Sequence, residues 1–238
     1  MSKPMSNPMS KPTGKLMQLA DAIALIPDGA SIMVGGFGSP GTPFSLLAEL
    51  GRRGRRNLTI IKNDANQDGY GVSRLIESGA VSRLLTTHLG LSGPARRAHL
   101  AGTLKVEFFS QGLFAEQIRS AGVGLPGVVN DIELPDELGA SRETISVGGR
   151  TLYFEPALHA DFALLCAERA DQYGNLSYRG AARNFSPLMA MAARRVLVET
   201  RTVCEAPLAP DCVHTPGIHV HGLIQIDGEL DEYRPILR

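Results

Sequence analysis

Residues Asp28 to Pro43 constrain the fold more than any other stretch. They hold a turn, a three-residue apolar strand and a glycine-lined loop in front of a helix start. Asp28-Gly29 is turn chemistry, and Ile32, Met33 and Val34 form a short apolar run suited to a buried strand. Gly35, Gly36, Gly38 and Gly41 then strip the following loop of side chains, which lets a ligand approach the backbone. Gly35, Gly36, Phe37, Gly38, Ser39, Pro40 and Gly41 are therefore the candidate ligand-binding loop. Thr42 is placed to cap the next helix and Pro43 to open it.

The same strand-to-helix rhythm recurs along the chain. Leu16, Leu19, Ala20, Ile23, Ala24 and Ile26 have helical spacing and stop at Pro27; Leu46, Leu47 and Leu50 mark a second helix. Strands are expected at Leu58–Ile61, Val81–Thr86 and Leu104–Phe109, with helices around Val72–Ile76, Arg96–Leu100 and Leu113–Ser120. Alternating units of this kind predict an α/β fold: an open, mostly parallel sheet with helices on both faces. Gly122–Gly149 is rich in Gly, Pro, Asp and Glu and reads as an irregular lid or rim, with a hairpin of Thr144–Val147 and Thr151–Phe154 across Gly148-Gly149. Ala163–Ala167 and Val196–Val203 are two further buried strands, separated by a loop and a short helix carrying Met189 and Met191 as packing residues.

Residues 1–14 repeat Met-Ser-Lys/Asn-Pro and read as a disordered tail, which leaves 15–238 as one domain. The 24 basic residues balance the 24 acidic ones, so net charge gives no reason to expect nucleic acid, and no apolar run reaches membrane-spanning length. A cytoplasmic small-molecule protein is expected. Cys166, Cys204 and Cys212 lack the spacing of a zinc or redox site and read as plain thiols. His219 and His221 would share one face of a strand, but no third ligand accompanies them, and no metal is expected.

Two chemistries fit the glycine loop. Gly36, Gly38 and Gly41 match G-x-G-x-x-G between a strand and a helix, the dinucleotide pattern, and Asp64 stands near the place of a ribose-binding acid. That reading implies an NAD-dependent dehydrogenase, yet no acid/base partner for hydride transfer stands out.

The second reading draws on more of the chain. Asp-Gly, two residues, three apolar residues, Gly-Gly-Phe, three residues, Gly, one residue, Pro resembles the signature loop of alpha subunits of family I coenzyme A transferases. Asn63-Asp64-Ala65 is similar to the family's Asn-Asn-Ala turn, and Ser110-Gln111-Gly112 with Ala115–Arg119 to its Pro-Gln-Gly and Ala-Glu-Arg-Ile-Arg run. Ala160–Leu164, Gly174–Leu176, Ala182–Phe185 with Pro187 and Met189, and His214–Gly217 follow in the family's order. The similarity spans residues 15–226.

That resemblance implies a coenzyme A thioester as substrate, no permanently bound cofactor, and transfer of CoA to a carboxylic acid, of 3-oxo or short-chain type. The family's nucleophile is a glutamate in a Ser-Glu-Asn-Gly motif of the beta subunit. This sequence has no Ser-Glu-Asn-Gly, so a beta-subunit partner is expected, and Glu107, Glu116, Glu155 and Glu199 read as solvated or ion-paired carboxylates. The matching glutamine, Gln111, is the implied catalytic residue: an amide N–H that stabilises the thioester oxyanion without neutralising the attacking carboxylate. Its alternative is a helix cap. Asn63 is a candidate contact to the acyl thioester or pantetheine, or else a turn-forming side chain. Arg52, Arg53, Arg55 and Arg56 read as a solvated helix end rather than a phosphate clamp. Arg183 and Asn184 are expected to be buried, bonding carbonyls of neighbouring loops, or else to form the contact with the partner subunit. Thr87 to Ser92 and Pro126 to Leu134 depart from the family's usual residues, and CoA-ester hydrolysis on the same fold is a further reading.

Overall fold

The computed structural model describes residues 14–132 and 143–226. The tail reading of residues 1–14 falls outside these, apart from Gly14, as do residues 133 and 134 of the divergent loop.

The elements that position the site are five parallel strands and their helices: β1 (Ser31–Val34), α2 (Phe44–Arg52), β2 (Leu58–Ile61), α3 (Gly71–Glu77), β3 (Val81–Thr86), α4 (Gly93–Leu100), β4 (Lys105–Phe108), α5 (Gln111–Gly122) and β8 (Ala160–Asp171). With α1 (Leu19–Ala24), α6 (Ser186–Ala192), β9 (Leu176–Ser177), β10 (Ala193–Cys204) and β11 (Gly222–Gln225) they form an eight-stranded sheet of order β11-β10-β8-β1-β2-β3-β4. Every ladder along that path is parallel, and only the short β9 runs antiparallel, against β8. Buried parallel strands need apolar side chains on both faces, and these supply them. Ile32 and Val34 pack on one side with Leu46, Leu50, Leu75 and Ala95, while Met33 packs on the other with Phe114, Ile118 and Met189. Helices α1 to α4 thus cover one face, and α5 and α6 the other.

Four expectations need correction. Leu16 does not belong to α1. It is 62% exposed and bridges to Leu223, because Met17 N–H donates to Leu223 O and holds the entering chain extended along β11. β8 and β10 run to twelve residues each, longer than the apolar cores that marked them, because they pair with one another into their polar ends, as far as Cys204 opposite Asp171. Gly122–Gly149 is more regular than its composition suggests: β5 (Gly127–Asn130), β6 (Glu143–Val147) and β7 (Arg150–Pro156) form an antiparallel sheet of order β5-β7-β6. Gly148 and Gly149 supply the two positive φ values, 59° and 77°, that the hairpin turn requires. His219 ends a 3-10 turn and His221 precedes β11, so the two histidines share no strand face. Instead His221 Nδ1 accepts from Val196 N–H and its own N–H donates to Val196 O, which locks the two chain segments together.

Candidate functional site

The strand order reverses direction at β1, with β2 on one side and β8 on the other, and open α/β sheets bind ligands at the carboxyl ends of strands beside such a point. The glycine loop, Asn63, Thr87 and Gln111 all lie at those ends, following β1, β2, β3 and β4 respectively.

Beneath the glycine loop lies a buried polar bed. Asp64 Oδ2 accepts from Gly38 N–H at 2.6 Å, and its Oδ1 accepts from Asn66 N–H at 2.7 Å. Asn66 Nδ2 donates to Gly38 O, and the Thr42 hydroxyl donates to the same carbonyl. Lys62, fully buried, sits with its ammonium 3.3–3.4 Å from Gly36 O, Gly38 O, Asn63 Oδ1 and Asp64 Oδ1. Burial pushes the Lys62 pKa down against the pull of Asp64. For Asp64 burial acts upward, but the Lys62 charge and the amides of Asn66 and Gly38 outweigh it and hold the carboxyl below its ordinary value. On the β8 side, Asn184 at φ +21° accepts from Gly36 N–H and donates to Pro40 O. Asn184 thus bonds loop backbone as expected, while Arg183 is exposed.

This bed separates the loop glycines into two kinds. A Cβ on Gly36 would collide with Thr42, one on Gly41 would lie 2.5 Å from Ala182 O, and one on Gly35 would lie 2.9 Å from Ser186 Oγ. Their missing side chains serve packing inside the chain. Gly38, at φ +62°, has nothing within 4 Å of its Cβ position, so it alone offers an open approach to the loop backbone. Phe37 beside it is 49% exposed and stacks on Phe185, whose ring meets Phe114 edge-on, and Phe114 in turn contacts Phe109. An aromatic row therefore runs from the glycine loop to the residue two before Gln111.

Gln111 is exposed and opens α5 after Ser110. Its side chain does not cap the helix: Oε1 lies 2.9 Å from the Thr87 hydroxyl. Thr87 is anchored to the second strand end, its N–H donating to Asn63 O at 3.0 Å and its hydroxyl lying 2.7 Å from the same carbonyl. Asn63 itself is fully buried, and its Nδ2 has no hydrogen-bond partner among the described residues. The turn chemistry considered for Asn63 belongs to Asp64, whose side chain receives the amide two residues on. Sequence reading missed Lys62 and Asn66, and marked Thr87 only as part of a divergent segment. Their signal was only position, each flanking a strand-end motif residue.

The remaining candidates are accounted for by packing. Arg52 and Arg53 pair with Glu49, Arg53 and Arg55 also reach carbonyls of α1, and Arg56 donates to Ser78 O, so the basic run ties helix ends together. Glu107 pairs with Arg83 and Glu116 with Arg119. Glu155 and Glu199 are buried, contrary to the solvated reading. Burial raises Glu199 to about 8, against the opposing hydrogen bonds of Leu46, Ser45 and Cys166. A groove lined by Phe44, Leu47, Arg52, Arg74 and Leu75 lies between α2 and α3, away from the strand ends. Among the described residues no group of three His, Cys, Asp or Glu side chains is placed to hold a metal.

Glu199 also removes the dinucleotide reading. That reading needs free amides at the start of α2, but Glu199 Oε2 accepts Leu46 N–H at 2.8 Å and Ser45 N–H is bonded to the same carboxyl. Pro43, which has no N–H, is the N-cap, and Thr42 is spent on Gly38 rather than on capping. Asp64, 1% exposed and bonded to Gly38 and Asn66, has no surface to offer a ribose.

Residues 16–225 match the sequence profile of the family described as Coenzyme A transferase. The chain belongs to the coenzyme A transferase family. It is 39% identical over 211 residues to the alpha chain of the acetate CoA-transferase of Escherichia coli, covering 88% of this chain and 96% of that one. It is 38% identical over 213 residues to a 3-oxoadipate CoA-transferase subunit from Pseudomonas putida, covering 88% and 92% respectively. Among solved structures, the decarboxylase AibA/AibB superposes with a TM-score of 0.77 at 29% identity, over 90% of this chain and 83% of that one. In this CoA-transferase subunit of alpha type, the glycine loop, Asn63 and Gln111 stand at the strand ends just described.

Proposed function

We propose that this chain supplies the substrate-binding and oxyanion-stabilising half of a heteromeric CoA-transferase, whose nucleophilic glutamate comes from a beta subunit. The reading rests on one observation: a hydrogen-bonded line at the strand ends that links Gly38 through the Lys62-Asn63-Asp64 bed to Thr87 and on to the exposed amide of Gln111.

The chemistry follows from that line. The partner's glutamate carboxylate attacks the acyl-CoA thioester carbonyl, and CoA thiolate leaves a mixed anhydride. The thiolate then attacks the glutamyl carbonyl of that anhydride, which releases the first carboxylic acid and leaves a glutamyl-CoA thioester. An acceptor carboxylate takes CoA by the same steps in reverse. Each attack places negative charge on a carbonyl oxygen. The neutral Nε2 of Gln111 donates to it and leaves the carboxylate nucleophilic, where an ammonium would bind the carboxylate instead. Gly38 gives the pantetheine arm access to the loop, Phe37 gives it an apolar wall, and Ser39 and Pro40 complete that edge. Asn63, buried and with no partner for its Nδ2 among the described residues, stands behind the acyl group.

The acyl-CoA and the carboxylate are the only small molecules required, as substrates, and the acceptor is a 3-oxo or short-chain acid. The 24 acidic and 24 basic residues favour such a partner over nucleic acid, and the cytoplasm is the expected location. Among the described residues no helix is long and apolar enough to cross a membrane. Purified chain should not move CoA from an acyl-CoA to a carboxylate. Adding a beta-type subunit that carries Ser-Glu-Asn-Gly should start the reaction, with CoA trapped covalently on that subunit by mass spectrometry. Transfer by this chain alone at enzymatic rates would overturn the division of labour.

A further inference from the structure

The Thr87 hydroxyl lies within hydrogen-bond distance of two acceptors, Asn63 O at 2.7 Å and Gln111 Oε1 at 2.9 Å. A hydroxyl carries one proton, so it donates to one of them at a time. Asn63 O already receives Thr87 N–H at 3.0 Å and needs no second donor. Gln111 Oε1 has the Thr87 hydroxyl as its partner, and the Gln111 side chain is otherwise exposed.

We propose that Thr87 is the positioning residue of this active site: its hydroxyl proton, given to Gln111 Oε1, fixes which arm of the amide faces the reacting carbonyl. The inference rests on the oxyanion role of Gln111 stated above. A carboxamide is planar, with oxygen and nitrogen on opposite arms. When Oε1 is held by Thr87, Nε2 is the arm left for the substrate. If the proton goes to Asn63 O instead, the hydroxyl oxygen accepts from Nε2, the amide turns over, and Oε1 faces the developing oxyanion and repels it. Substrate charge favours the first arrangement, and the Thr87 main-chain bond to Asn63 keeps the hydroxyl in reach of it.

The experiment uses the reconstituted complex with the beta subunit. Thr87→Val, which keeps the shape and removes the hydroxyl, should lower kcat roughly 5- to 30-fold, the cost of releasing a restricted Gln side chain, with KM for acyl-CoA little changed. Thr87→Ser should restore kcat. In a Gln111→Ala background, Thr87→Val should have no further effect, because the residue acts only through that amide. A purely structural role would instead lower the thermal midpoint and reduce activity equally in both backgrounds. If Thr87→Val does not fold, Thr87→Ala enters the same cycle. Unchanged kcat in either hydroxyl-free variant, or equal losses with and without Gln111, overturns the proposal. A Gln111→Ala enzyme with full kcat overturns the Gln111 reading as well, so the two failures are told apart.

Discussion

The strand ends carry two regions of opposite character. Under the glycine loop, Lys62, Asn63, Asp64 and Asn66 are all but inaccessible, and Lys62, Asp64 and Asn66 bond the loop from below. At the rim, Gln111 is exposed, with the hydroxyl of half-buried Thr87 on its Oε1. The first region is built within the chain. The second is left for substrate and partner to complete. Substitutions of Lys62, Asp64 and Asn66 should therefore register as stability, and substitutions at the rim as turnover.

The sharpest break of that contrast is Lys62→Met. It leaves Asp64 as a buried charge without its cation, and loss of one partner of a buried pair costs about 3–5 kcal/mol. Urea unfolding of the chain measures it, and adding Asp64→Asn should recover part of the loss. A Lys62→Met change below about 1 kcal/mol would show the bed to be loosely coupled, more like an exposed pair.

Glycine replacements divide the loop itself. Gly36→Ala drives a methyl into Thr42, 2.6 Å from its amide nitrogen, and should cost about 1–3 kcal/mol through overpacking. Gly38→Ala meets open space, so only its left-handed backbone counts against it, about 1–2 kcal/mol. The contrast becomes sharper in kinetics. With the partner present, Gly38→Val should raise the KM for acyl-CoA, because its side chain occupies the approach that Gly38 leaves clear. Equal KM values for wild type and Gly38→Val would make the whole loop structural.

The remaining effect is a slope with pH. Glu199 is raised to about 8 in the folded chain from an ordinary carboxylate value near 4.5. Between those values the unfolded chain loses this proton while the folded chain keeps it. Its contribution to stability is therefore full below the unfolded value and falls as pH rises toward 8, by at most about 1.4 kcal/mol per pH unit. Glu199→Gln keeps an acceptor for Leu46 N–H and should flatten the decline of the thermal midpoint between pH 5 and pH 8. An unchanged slope would locate the titration elsewhere.

Much of this was legible in the sequence, for physical reasons. Leu58–Ile61 and Val81–Thr86 form strands with the expected bounds, because apolar runs between turn residues have few other places to go. The helices appeared on both faces for the same reason. The loop glycines were visible as glycines, but their purposes were not: Gly36, Gly41 and Gly35 answer to Thr42, Ala182 and Ser186, and the last two stand more than 140 positions away in sequence. Glu199 was misread because a buried carboxylate capping a helix from a distant strand has no local signature. The roles of Thr87 and Lys62 have no local signature, because single polar residues at strand ends look alike until the ladder brings them together.

The central claim is that Gln111 stabilises charge at a reaction whose nucleophile is supplied by another chain. Steady-state kinetics of the reconstituted complex, run in both directions with Gln111→Ala, test it most directly. The variant should keep the wild-type thermal midpoint, since the side chain is exposed, and should keep KM nearly unchanged. Its kcat should fall about 10²–10³-fold, as removal of one oxyanion donor does. A Gln111→Ala complex with wild-type kcat would contradict the account.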